Sequence, residues 1–158
     1  LTLNVESVDV TVLTGPANNN SLSLDDFDVV SGVSEDDYIL YTYADGKVYA
    51  GTMKDGLYDG YGTATYPNGD RYEGDFVAGK RQSDEATLTY SGGGSYTGAF
   101  ENDLFHGAGT LTFANGDVYT GEFQNNMMNG WGTYKWAAGR VYEGLFKNGV
   151  IVRVDNGV

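Results

Sequence analysis

Cysteine is absent from this chain of 158 residues, which removes disulfides, thiolate metal sites and a cysteine nucleophile from consideration. Basic residues are scarce: 9 Lys and Arg stand against 22 Asp and Glu, a formal charge of −13. A field of that sign repels phosphate backbones and argues against nucleic acid as a partner. No stretch approaches the roughly 18 consecutive apolar residues of a membrane-spanning helix. No basic-then-apolar signal peptide is visible either. The chain opens on Leu1 rather than Met, from which a removed leader, tag or anchor is expected. Together with the missing cysteine this leans toward an exported or cell-surface location.

Proline occurs only twice, whereas Gly (24) and Tyr (13) are abundant, a mixture that favours turn-rich β structure over disorder. The tyrosines are periodic. Tyr49, Tyr72, Tyr96, Tyr119 and Tyr142 follow one another at intervals of 23, 24, 23 and 23 residues. Two residues after each comes a glycine (Gly51, Gly74, Gly98, Gly121, Gly144), and four after each a large apolar group (Met53, Phe76, Phe100, Phe123, Phe146). Six before each stands another aromatic: Tyr43, Tyr66, Tyr90, Phe113, Trp136. Five copies in one frame mark a repeat architecture.

Turn residues punctuate each copy: ADGK, PNGD, GGGS, ANGD, AAGR. A two-residue turn at Asn68-Gly69 would put Tyr66 and Tyr72 on opposite faces. A three-residue loop, Pro67-Asn68-Gly69, is a type I turn closed by a left-handed glycine. It pairs Tyr66 with Asp70, Ala64 with Tyr72 and Gly62 with Gly74. Side chains alternate along a strand, so Tyr66, Tyr72 and Phe76 then share one face with Tyr96 and Phe100 of the next copy, while Thr63, Thr65, Arg71, Glu73 and Asp75 take the other. The same pairing sorts every copy, and Pro67 suits the first central turn position. The spacing thus predicts hairpins with an aromatic-and-glycine face and a Thr-rich face, stacked edge to edge because a lone hairpin is marginal in water. Ten strands at about 4.8 Å give a sheet roughly 50 Å long. Gly74, Gly98 and Gly121 are expected to lie beneath an aromatic of a neighbouring strand.

The connections carry apolar pairs, Leu57-Tyr58, Leu104-Phe105, Met127-Met128 and Val150-Ile151, expected to fold back over the aromatic face. The second copy lacks one. It reads Lys80, Arg81, Gln82, Ser83, Asp84, and has Glu85-Ala86 where other copies start with Tyr-Gly or Trp-Gly. Cover should be thinnest over residues 79–86.

Residues 1–37 lie outside the repeat and hold eight acids without a single base, leaving 14 acids against 9 bases, net −5, for residues 38–158. LTLNVESVDVTVL alternates with a phase flip at Glu6-Ser7, read as two short strands. GPANNNS reads as a loop, and Ser23 with Asp26 as one helical turn. Capping the first hairpin is the expected role, since the end of an open stack needs cover. The organisation read here is a cap over 1–37, five copies (38–60, 61–84, 85–107, 108–130, 131–153) and a tail, 154–158.

The copies VYAGTMKDGLYDGYGTATYPNGD, RYEGDFVAGK, SYTGAFENDLFHGAGTLTFANGD, VYTGEFQNNMMNGWGTYKW and VYEGLFKNG resemble the MORN (membrane occupation and recognition nexus) repeat. The resemblance implies an elongated, single-layer antiparallel sheet that is all-β and serves protein–protein contacts. It also implies dimerisation as an occasional role, and family members have been proposed to touch membrane phospholipids. It supplies no catalytic residues and no cofactor.

The candidate binding face is therefore the aromatic row: Tyr43, Tyr49, Tyr66, Tyr72, Tyr90, Tyr96, Tyr119, Trp136 and Tyr142. Core packing is the competing reading for the same rings. Tyrosine offers flat apolar area with a hydroxyl, suited to peptides or sugars. His106, the one histidine, fills the slot of Asp59 and Asn129 in other copies and reads as a repeat residue; no nucleophile on a special turn accompanies it. The periodic Glu73, Glu122 and Glu143 read as repeat positions rather than a glycosidase pair. The clusters Asp25-Asp26-Asp28 and Glu35-Asp36-Asp37 lack the alternating calcium-loop pattern, so no metal is implied. A protein or peptide partner is expected. Lipid head groups rank second because acidic leaflets attract polybasic surfaces. A glycan ranks third, and homodimerisation stays open.

Overall fold

The computed structural model describes residues 11–15 and 38–153. Among these residues the chain forms one thirteen-stranded open sheet and no helix. The strands are β1 (Thr11–Gly15), β2 (Ile39–Tyr43), β3 (Val48–Lys54), β4 (Leu57–Thr65), β5 (Arg71–Val77), β6 (Lys80–Arg81), β7 (Ser83–Thr89), β8 (Ser95–Glu101), β9 (Leu104–Thr112), β10 (Val118–Gln124), β11 (Met127–Lys135), β12 (Val141–Lys147) and β13 (Val150–Ile151). They lie side by side in chain order, with β6 set aside against β5. Every pairing is antiparallel except the first, where β1 runs parallel to β2 from Thr11↔Ile39 to Gly15↔Tyr43. Gly15, read as the start of the GPANNNS loop, is instead the last residue of β1; the rest of that loop, the bulge or tight turn at Glu6-Ser7, the helical turn at Ser23 and the acid clusters before residue 38 fall outside the described residues.

The three-residue loop sets the register as expected. The Tyr66 N–H donates to Asp70 O at 2.8 Å, Gly69 takes φ +92°, and Ala64 faces Tyr72 while Gly62 faces Gly74. Tyr72, Phe76, Tyr96 and Phe100 consequently share one core, with Tyr66 packed against it.

The connections differ from a separate fold-back layer. Asp55-Gly56, Ala78-Gly79, Asn102-Asp103, Asn125-Asn126 and Asn148-Gly149 all have both residues at positive φ, the signature of two-residue type I′ hairpin turns. The run after each turn is therefore strand, and it bends at Gly60 (φ +87°) and its counterparts Gly107 and Gly130. Alternation lets only one residue of each apolar pair face inward. Tyr58 stacks on Tyr49 (3.7 Å between ring centres, 4°) and Phe105 on Tyr96 (3.8 Å, 8°), whereas Met127 and Val150 stay exposed. Each inward residue is tied to the next copy: the N–H groups of Gly79, Asp103, Asn126 and Gly149 donate to the carbonyls of Tyr58, Arg81, Phe105 and Met128.

The glycines are covered by a ring of their own strand, not of a neighbour. A side-chain carbon built on Gly98 would come within 2.8 Å of the Tyr96 hydroxyl and 2.5 Å of Gly109 Cα. Each repeat tyrosine thus lies along its strand over the glycine two residues on. Its hydroxyl donates to the carbonyl three residues on: Tyr49 to Thr52, Tyr72 to Asp75, Tyr96 to Ala99, Tyr119 to Glu122.

Candidate functional site

The structure divides the candidate aromatic row in two. Tyr43, Tyr49, Tyr72, Tyr96 and Tyr119 are buried, the last four with no accessible surface. Burial of these rings drives the fold, and edge-on or stacked aromatic pairs add about 0.5–1.5 kcal/mol each beyond the area buried. Desolvation pushes the hydroxyls of Tyr49, Tyr72 and Tyr96 up, the last to about 12. Tyr66, Tyr90, Trp136 and Tyr142 remain half-buried and form the accessible part of the row. Tyr142 is more open because, among the described residues, no following strand covers it as Phe146 covers Tyr119.

Residues 79–86, where thin cover was expected, hold the most distinctive geometry. Arg81 stands opposite Phe76, in the position that Tyr58 holds opposite Met53, Phe105 opposite Phe100 and Met128 opposite Phe123. Its guanidinium covers the core as a cation over Tyr72 (5.7 Å) and Phe100 (5.3 Å). Asp103 pairs with it: Nε lies 3.4 Å from the carboxylate, and Nη2 donates to Asp103 O at 2.8 Å. The second copy has Asp84-Glu85-Ala86 in place of a Gly-x-Gly, so the strand cannot bend through a positive-φ glycine and breaks into β6 and β7. Above Arg81 an open groove of about 830 Å³ lies between Tyr66 and Tyr90, floored by Leu88 and Phe105.

One copy earlier the matching slot is filled from within. Lys47, 6 % exposed, places its ammonium over the rings of Tyr43 (5.4 Å), Tyr58 (5.1 Å) and Tyr66 (5.6 Å). Burial lowers its pKa, against the raising effect of Asp45. The residue in the same loop position of the second copy is Asp70, whose Oδ1 accepts the Ser91 N–H of the following loop at 2.9 Å. Asp117 repeats that clasp, accepting from Ala137 N–H (2.8 Å) and the Tyr134 hydroxyl (2.6 Å); these bonds hold its carboxyl below the ordinary range. Arg140 ends the row over Trp136 at 4.0 Å.

The remaining candidates are ordinary surface. His106 Nε2 lies 3.0 Å from Glu101, both about half exposed. Glu73 accepts from Tyr61 and Arg71 on the Thr-rich face, and those bonds lower its pKa. No group of three or more metal-ligating side chains occurs among the described residues. Two features were missed in the sequence: the cation–π role of Arg81, signalled by the missing apolar pair, and Trp131 on the opposite face, 62 % exposed beside Leu145.

A family model of the MORN repeat matches residues 49–71, 72–82, 96–118 and 119–139. The match lapses over 83–95, which begins just after the strand break at Gln82. No curated protein matches the chain.

Proposed function

Because this chain belongs to the MORN repeat family, whose repeats generally mediate protein or membrane contacts without catalysis, we propose that it is a rigid scaffold for a protein or peptide partner. The observation that carries this reading is the division of the aromatic row. The inner rings are sealed and their hydroxyls occupied, while Tyr66, Tyr90 and Trp136 stay open along one margin of a platform whose geometry the core fixes. Rigid, half-open aromatic rings are what contact surfaces use, since they give area at low entropic cost. The outer edge of β12 is a second surface: among the described residues it meets only β13, at Phe146 and Lys147, so Val141–Gly144 pair with β11 on one side and with no strand on the other. In this reading residues 1–37 cap the first hairpin through β1, and the five copies from residue 38 to 153 carry the binding surface.

The charge of −13 favours protein over acidic lipid. Affinity capture from the source cells with the wild-type chain and a Tyr66→Ser/Tyr90→Ser variant, run beside liposome sedimentation, tests the choice. The expected result is a protein retained by the wild type and lost by the variant, with no sedimentation on neutral or acidic vesicles. Sedimentation on acidic vesicles would replace this reading with head-group binding, and selective signals on a glycan array would replace it with sugar binding.

A further inference from the structure

Three of the nine Lys and Arg side chains lie on aromatic rings of one face: Lys47 in its three-tyrosine slot, Arg81 over Tyr72 and Phe100, and Arg140 over Trp136. The repeat frame makes the first of these a template. Tyr43, Lys47, Tyr58 and Tyr66 of the first slot correspond to Tyr66, Asp70, Arg81 and Tyr90 of the second. In the first slot the chain supplies its own ammonium between aromatic walls. In the second the walls Tyr66 and Tyr90 persist, but the loop residue is a carboxylate and the space between is the open groove. The cover residue Arg81 lies against the core, 21 % exposed, and Asp103 balances its charge. With Asp70 added, the three charges at the groove sum to −1, inside a chain of net −13.

We propose that the groove between Tyr66 and Tyr90 docks a Lys or Arg side chain of an extended basic partner segment, in the manner of Lys47 in the preceding copy. The proposal rests on the scaffold reading and names the chemistry of its partner. The arriving cation lies between the tyrosine faces, where cation–π attraction operates within about 6 Å, with the Asp70 carboxylate at the rim. The acidic surface steers it there, so association weakens as salt screens the charges.

Fluorescence anisotropy of the full chain with labelled octapeptides alternating Lys-Thr, Gln-Thr or Glu-Thr tests this directly. The lysine peptide should bind and the other two should not. Asp70→Asn should weaken it about 3- to 10-fold and Tyr90→Leu, which changes no charge, by a similar factor. Glu143→Gln, which removes the same charge from the opposite face, should leave it unchanged. Arg81→Met, the cover residue of the fourth copy, should tighten it about 3-fold by removing a competing cation. Thermal melts of each variant separate binding loss from unfolding. Equal binding of all three peptides, equal losses for Asp70→Asn and Glu143→Gln, or weakening by Arg81→Met would overturn the proposal. If the lysine peptide binds and the groove variants leave it untouched, the groove is the wrong place while the scaffold reading survives; that reading stands or falls on the capture experiment above.

Discussion

Tyr96 and Phe105 stack face to face, with 3.8 Å between ring centres and 8° between ring planes, although one belongs to the straight part of its hairpin and the other to the bent outer end. Phe105 also meets Phe100 and Phe123 edge-on, so one side chain closes the core of its own copy and touches the next. Truncating it leaves a cavity that neighbouring strands, pinned by their own hydrogen bonds, cannot collapse into. Phe105→Ala should therefore cost about 3–5 kcal/mol. Denaturant unfolding of the variant checks this, and a midpoint near the wild-type value would mean the outer end contributes little.

Gly98→Val meets backbone as well as side chain, since a side-chain carbon there would approach Ala108 O and Gly109 Cα at 2.5 Å. Neither can swing aside as a flexible side chain would. The substitution should cost about 1–3 kcal/mol by overpacking. An unchanged melting temperature would show that the close approach between β8 and β9 is not needed.

Ala78 offers a change of opposite sign. It sits at φ +48° in the first central position of its type I′ turn, where the other copies have Asp55, Asn102, Asn125 and Asn148. Left-handed backbone costs an alanine about 1–2 kcal/mol, a penalty that Asn and Asp reduce through their own local hydrogen bonds. Ala78→Asn should raise stability by about 0.5–1 kcal/mol, read as a higher melting temperature.

That alanine also shows where sequence reasoning stops. The 23-residue frame and the Pro67-Asn68-Gly69 loop were enough to assign faces, register and neighbours, because alternation along a strand leaves one consistent solution. The outer ends were harder. Leu57-Tyr58 is strand because Asp55-Gly56 turns the chain with both residues at positive φ, and the 23-residue frame alone does not fix those angles. Nor does spacing tell that Tyr72 lies along its own strand over Gly74, which seals it rather than offering it to a partner. Arg81 looked like a gap in the cover because a count of apolar residues scores a guanidinium as polar, whereas its flat face packs on Tyr72 and Phe100.

Burial of the tyrosines predicts the alkaline limit of the fold. A free tyrosine ionises near 10; desolvation holds Tyr96 up at about 12 and pushes Tyr49, Tyr58 and Tyr72 up as well. The folded chain therefore binds these protons more tightly than the unfolded chain. The resulting stability is complete below pH of about 10 and is lost as pH rises from there through about 12. Phenolate absorbance and far-ultraviolet circular dichroism followed together should show the buried rings ionising in one step with loss of the sheet. Complete titration near pH 10 with the dichroism intact would contradict this.

The N-terminal segment provides the last test. β2 has its inner edge satisfied by β3, and β1 covers its outer edge over all five residues, Ile39 to Tyr43. Without β1 that edge would present free N–H and C=O groups beside Ile39 and Tyr41, each only 1 % exposed in the described fold. An open edge of this kind is a template for pairing with another chain. A stack also loses stability most readily from an uncapped end, since each repeat contacts only its neighbours. A parallel strand suits a cap, because it cannot be mistaken for one more antiparallel hairpin and so ends the repeat. A chain beginning at residue 38 should therefore melt at a lower temperature or self-associate, as read by thermal denaturation and sedimentation velocity. If it stays monomeric and melts with the full-length chain, β1 is dispensable. The eight acids of residues 1–37 would then point to a docking or solubilising arm instead.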